Sequence, residues 1–130
     1  MGVRMSNKSL LVVDDSATMR QLLCMTLTRV EGITQANITE AYDGEDALDK
    51  VKTGNFDLVL TDIRMPRMDG LEFIRKVRSE LNEQSLPIII ISTKGAEEDV
   101  QAGMDLGASG YLSKPVSMAR LRELVTNFLG

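Results

Sequence analysis

The chain has 130 residues, of which 43% are apolar and 26% charged, with a formal net charge of -4; that is the make-up of one globular domain with a single core. The acidity argues against direct binding to a nucleic-acid backbone. With no histidine and one cysteine, Cys24, the chain holds no Ser/His/Asp triad, no His- or thiolate-ligated zinc and no internal disulfide.

Aromatic residues are 4% of the chain, so the core has to come from Ile, Leu, Val, Met and Ala. Cys24 reads as a small apolar residue on a helix, and its solitude fits a reducing, cytoplasmic compartment. The apolar runs are far too short to span a membrane. The opening MGVRMSNKS leads into only LLVV before two acids, which is not the pattern of a signal peptide.

Short apolar runs alternate with helical patterns. LLVVD (10–14) reads as a strand, and Met19, Leu23, Leu27 and Val30 recur at helical steps between Ser16 and Val30. ITEAY (38–42) is a second, more polar strand, expected near an edge. Asp43 and Asp46 mark a helix start, with Ala47, Leu48 and Val51 inward and Gly54 as the stop. DLVLTD (57–62) is the third strand. IRMPRMDG (63–70) is a loop punctuated by Pro66 and Gly70. Asp69 caps the next helix, whose apolar stripe is Leu71, Phe73, Ile74, Val77 and Leu81.

PIIII (87–91) is the fourth strand, apolar enough to be buried on both faces. Glu97, Glu98 and Asp99 fall in the first turn of a fourth helix, where the dipole favours anions. GYLS (110–113) is a short fifth strand. Ser117 caps a last helix with Leu121, Leu124, Val125 and Phe128 inward. Five strand–helix pairs predict an α/β fold, a doubly wound parallel sheet with helices on both faces.

In such sheets ligands bind beyond the carboxyl ends of the strands. Asp14 and Asp15 end the first strand, Asp62 the third, Ser92 the fourth and Lys114 the fifth, so all of them fall on one rim. Two unit charges about 4 Å apart interact by roughly 4 kcal/mol at an effective dielectric near 20, so three carboxylates there call for a counter-charge. Oxygen-only ligands favour a hard cation, Mg²⁺ first, with Mn²⁺ as a substitute. A cation, a lysine and a hydroxyl around one further carboxylate are the parts of phosphoryl transfer, with Asp62 as nucleophile.

The motifs VVDDS (12–16), TDIRMPRMDG (61–70), IIIST (89–93) and GASGYLSKP (107–115) stand in a specific order and spacing. With them the chain resembles the receiver domains of two-component response regulators, most of all the single-domain chemotaxis CheY type. The resemblance covers about Lys8 to Leu129. It implies a flavodoxin-like (βα)5 sheet with strand order 2-1-3-4-5 and a receiver domain over 8–130. Residues 1–7 are then an N-terminal extension, disordered or a cloning remnant.

The resemblance also implies roles. Asp62 is the phosphoacceptor. Asp15, Asp62 and the backbone carbonyl of Arg64 are metal ligands, and Asp14 acts largely through metal-bound water. Lys114, before a cis Pro115, pairs with the phosphoryl group. Ser92 and Tyr111 form the switch pair. The phosphodonor is a sensor histidine kinase, and the face of the fourth helix, fifth strand and fifth helix meets a downstream protein, such as a flagellar motor switch component or a phosphotransfer protein. A monomer is expected, with dimerisation on phosphorylation an option. Arg64, Thr93 and Lys94 flank the path of attacking water and are expected to slow self-dephosphorylation.

Other functions compete. A phosphohydrolase working through an aspartyl-phosphate usually carries a second acid two residues after its nucleophile, where this chain has Arg64. A flavin carrier on a similar fold needs a phosphate-cradling loop where Asp14 and Asp15 would repel the phosphate. A degenerate receiver acting only as a binding module is at odds with the complete residue set. Taken singly, the paired acids could cap a helix, Lys114 could be a surface lysine, and Arg64, Arg67 and Lys94 a solvated basic rim. Most of the eight methionines are gap fillers, with Met104 and Met118 candidates for a partner face.

Overall fold

The computed structural model describes residues 7–93 and 95–130. The N-terminal extension expected over 1–7, apart from Asn7, and Lys94 lie outside the described residues. The strands are β1 (Leu10–Val13), β2 (Ile38–Ala41), β3 (Leu58–Thr61), β4 (Ile88–Ser92) and β5 (Gly110–Ser113). The helices are α1 (Ala17–Leu27), α2 (Gly44–Thr53), α3 (Gly70–Ser79), α4 (Glu97–Asp105) and α5 (Met118–Leu129). All strand pairs are parallel and the order is β2-β1-β3-β4-β5.

Strand alternation sorts the core into two layers. Leu10, Val12, Leu58, Leu60, Ile89 and Ile91 face α1 and α5, where Leu23, Leu27, Leu121 and Val125 meet them. Leu11, Val13, Val59, Ile88 and Ile90 face the other side, against Ala47, Leu48, Phe73, Ile74 and Val77 of α2 and α3. All four isoleucines of β4 are fully buried, as a central strand covered on both faces requires. The more polar β2 lies at an edge. Cys24 is buried, and burial pushes its thiol up to about 11, which keeps it inert.

Helix starts follow their caps. Ser16, Asp43, Asp69 and Ser117 each accept a hydrogen bond from the backbone N–H three residues on. The first helix is shorter than its apolar spacing suggested. It ends at Leu27, and Val30 is buried from a turn in which Arg29 and Val30 donate to Thr26 and Leu27. An apolar residue three positions past a helix end still points at the core, so spacing alone extended the helix too far.

Candidate functional site

The parallel sheet sends every strand's carboxyl end to one rim. Register aligns Val13 with Thr61, so Asp14 and Asp62 follow on neighbouring strands. The Asp62 N–H donates to Val13 O at 3.0 Å, and the Asp14 N–H donates to Ala41 O at 3.1 Å. One carboxylate oxygen from each of Asp14, Asp15 and Asp62 lies within 4.8 Å of the others. Asp14 is buried, Asp62 partly buried and Asp15 exposed, so the cluster opens to solvent on one side. The donor set is all carboxylate oxygen, which suits a hard divalent cation.

Lys114 reaches this cluster from the end of β5. Its ammonium donates to Asp62 Oδ2 at 3.1 Å and to Asp14 Oδ2 at 3.5 Å. Burial opposes the lysine's charge, but Asp62 and Asp14 outweigh it and hold its pKa above the ordinary value. The Lys114–Pro115 bond is cis. Asp62 Oδ1 accepts from the Ile63 N–H at 2.7 Å, which sets the carboxylate's orientation. Asp14 Oδ1 accepts from the Ser16 N–H at 2.9 Å, and Arg20 holds the Asp14 carbonyl at 2.7 Å. Sequence reasoning missed Arg20; its place four residues after the capping Ser16 was the available signal.

One ammonium against three carboxylates leaves excess negative charge. Burial pushes the Asp14 carboxyl above its ordinary value; the Ser16 N–H opposes this, and Asp62 adds to the rise. A carboxyl favoured protonated in the fold loses stability as pH rises through its folded pKa, and regains it on acidification. Asp14→Asn is therefore expected to melt a few degrees above the wild type at pH 7 in metal-free buffer. The gap should narrow as pH falls below the folded pKa and vanish below the ordinary carboxylate value, where both folded and unfolded chains are protonated. Calorimetry across pH checks this, and a lower melting temperature for the variant at pH 7 would refute it.

Among the described residues, the side chains of the other predicted residues are not hydrogen-bonded to these carboxylates or to Lys114. Ser92, buried at the end of β4, donates weakly to Leu112 O at 3.4 Å. Tyr111 is 51% exposed. It shares with Ser92, Thr93, Val100 and Met104 the wall of a cavity of about 200 Å³. The Arg64 side chain, 78% exposed, pairs with Asp99 in the first turn of α4 at 2.9 Å. Thr93 is exposed. Sequence reasoning also treated Asp43 only as a helix cap and Arg67 only as basic rim. In the fold they bond to one another.

Among the described residues no helix is long and apolar enough to cross a membrane. The sequence profile described as "Response regulator receiver domain" matches residues 10–126. A chemotaxis protein CheY homolog from Campylobacter jejuni subsp. jejuni is 38% identical over 122 residues, 93% of this chain and 92% of that protein. The structure of Vibrio cholerae chemotaxis protein CheY4 superposes with a TM-score of 0.81 at 33% identity, covering 94% of this chain and 98% of that one. The receiver domain of NtrX from Brucella abortus gives 0.83 at 28% identity, covering 93% and 98%.

Proposed function

The chain belongs to the response regulator receiver domain family, and from that premise we propose that it is a phosphorylation-activated signalling switch with Asp62 as phosphoacceptor. Receiver domains are signalling domains, and the donor here is the phosphohistidine of a sensor histidine kinase. The observation that carries the reading is Asp62 itself. One of its oxygens is held by the Ile63 amide, the other meets Lys114, and the Asp14 and Asp15 carboxylates lie beside it.

The Asp62 carboxylate attacks phosphorus, the P–N bond breaks, and its electron pair leaves on the imidazole. Lys114 neutralises charge on one phosphoryl oxygen and gives up part of its hold on Asp62. Asp15, Asp62 and the Arg64 carbonyl would hold Mg²⁺, or Mn²⁺ in its place, with Asp14 contributing through water. The bound cation supplies charge neutralisation at the transferring group. A partner has to approach from the open rim, and an apolar groove of about 420 Å³ lined by Met19, Leu22, Leu23, Pro115 and Val116 reaches Lys114 there.

The Ser92 hydroxyl, now on a long bond to Leu112 O, is free to exchange that bond for a phosphoryl oxygen. Tyr111 borders the cavity it would turn into. The change appears on the face of α4, β5 and α5, read by a flagellar motor switch component or a phosphotransfer protein; the chemotaxis relatives favour the former. The receiver spans 8–130 and acts as a cytoplasmic monomer. Intact mass after incubation with Mg²⁺ and a small acyl phosphate tests the reading. One phosphoryl group is expected, and none without metal.

Arg64, Thr93 and Lys94 shield the phosphoryl group from water, so self-dephosphorylation is slow. The Arg64–Asp99 pair keeps that guanidinium near the α4 end of the site. Arg64→Asn and Lys94→Glu are expected to shorten the phosphoryl lifetime severalfold in a decay assay by intact mass. Unchanged decay in both would refute the shielding.

A further inference from the structure

Asp43 is a fourth acid on the catalytic rim, at the end of β2, and it is 1% exposed. Its Oδ1 accepts from the Asp46 N–H at 2.8 Å, and its Oδ2 accepts from Arg67 Nε. A buried carboxylate depends on such a cation, because losing the partner leaves an uncompensated charge away from water. Arg67 also places its guanidinium carbon 5.6 Å from the centroid of the Tyr42 ring.

Arg67 adopts φ +65, in the left-handed region that a long side chain enters only where its surroundings hold it. Next to it, the Gly44 N–H donates to Met68 O at 2.9 Å. A Cβ at Gly44 would lie 2.5 Å from that oxygen, so the two loops touch backbone to backbone. The loop between β3 and α3 is thus pinned at its far end to the start of α2.

At its near end the same loop carries Asp62 and Arg64. The stretch between is short and stiff. The Ile63 carbonyl accepts from the Gly70 N–H at 2.7 Å, Pro66 has a fixed φ, and the Met68 N–H donates to Pro66 O at 2.8 Å. A shift at Arg67 therefore has little slack to absorb it before reaching Arg64.

We infer that Arg67 is a positioning residue: through Asp43 and Tyr42 it clamps the β3–α3 loop, and so sets how tightly the rim carboxylates and the Arg64 carbonyl hold a divalent cation. The inference rests on the receiver reading above. Residues that orient metal ligands from behind typically change affinity by about 10–100-fold when lost.

The test uses the full chain with Arg67→Ala, Arg67→Gly and Arg67→Lys, and Arg75→Ala as a control on the exposed Arg75–Glu72 pair. Arg67→Gly accepts positive φ without strain, so it remains folded if Arg67→Ala does not. Mg²⁺ affinity is measured by calorimetric titration, the labelling rate by intact mass with acyl phosphate, and melting in metal-free buffer separately. We expect about tenfold weaker Mg²⁺ binding in Arg67→Gly and Arg67→Ala, part of it restored in Arg67→Lys, and wild-type affinity in Arg75→Ala. Excess Mg²⁺ should bring the labelling rate back toward wild type. Lowered melting with wild-type Mg²⁺ affinity would overturn the inference alone, leaving Arg67 a purely structural residue. A wild-type chain that binds no Mg²⁺ would overturn the receiver reading and the inference with it.

Discussion

Asp62→Asn is expected to take up no phosphoryl group from an acyl phosphate under conditions that label the wild type. In the proposed reaction the nucleophile is a carboxylate oxygen of Asp62; the bond to phosphorus would form there as the acyl–oxygen bond to phosphorus breaks and the acylate leaves. An amide nitrogen has its lone pair delocalised into the carbonyl and carries no negative charge, so it does not replace that oxygen. The amide can keep one local contact, its oxygen accepting from the Ile63 N–H where Oδ1 does so at 2.7 Å. Its NH₂ then faces the Lys114 ammonium, donor against donor, where Oδ2 accepts at 3.1 Å. The negative nucleophile and its ion pair with Lys114 are removed by one substitution of nearly constant volume, so the expected loss of labelling does not depend on unfolding. Intact mass with and without Mg²⁺ checks this. Wild-type labelling of the variant would place the acceptor elsewhere in the chain.

Gly70→Ala is expected to cost about 2 kcal/mol of stability and to weaken labelling at Asp62, although residue 70 touches no substrate. Gly70 opens α3 directly behind the site. A Cβ there would press into the Asp62 carbonyl oxygen and lie 2.8 Å from Ile63 Cα, both of them backbone. Neither atom yields by rotating a side chain, so the loop after β3 has to move, and with it the carboxylate of Asp62. Gly103→Ala is the contrast. Its Cβ meets the Ile90 Cδ1 tip, the end of a flexible side chain that has other rotamers. The expected order is therefore Gly70→Ala well below Gly103→Ala in denaturant midpoint, with only the former impaired in Mg²⁺-dependent labelling. Equal midpoints, or intact labelling in Gly70→Ala, would contradict it.

Several features were legible without the fold because their physics is local. Ser16, Asp43, Asp69 and Ser117 were recognisable as helix caps because each bond they accept closes within three residues. The isoleucines at 88–91 announced a strand covered on both faces, since no half-exposed strand tolerates them. Alternation of strands and helices then required a parallel sheet, and a parallel sheet puts Asp14, Asp62, Ser92 and Lys114 on one rim whatever the details of the loops.

What the tertiary structure decided were the pairings between side chains distant along the chain. Lys114 meets Asp62 across 52 residues, Arg64 takes Asp99 across 35, and Arg67 takes Asp43 across 24. Nothing in the local spacing of these residues distinguishes a clamp from a solvated basic rim. Ser92 was placed at a strand end correctly, yet its bond to Leu112 O depends on β5 lying beside β4. Gly70 looked like loop punctuation, and only the packing of α3 against Asp62 shows that it is a matter of space. Periodicity and capping report the chain's neighbours within a turn or two. The contacts that orient the site form where separate strand ends converge, and their geometry exists only once the sheet order and the loop paths are set.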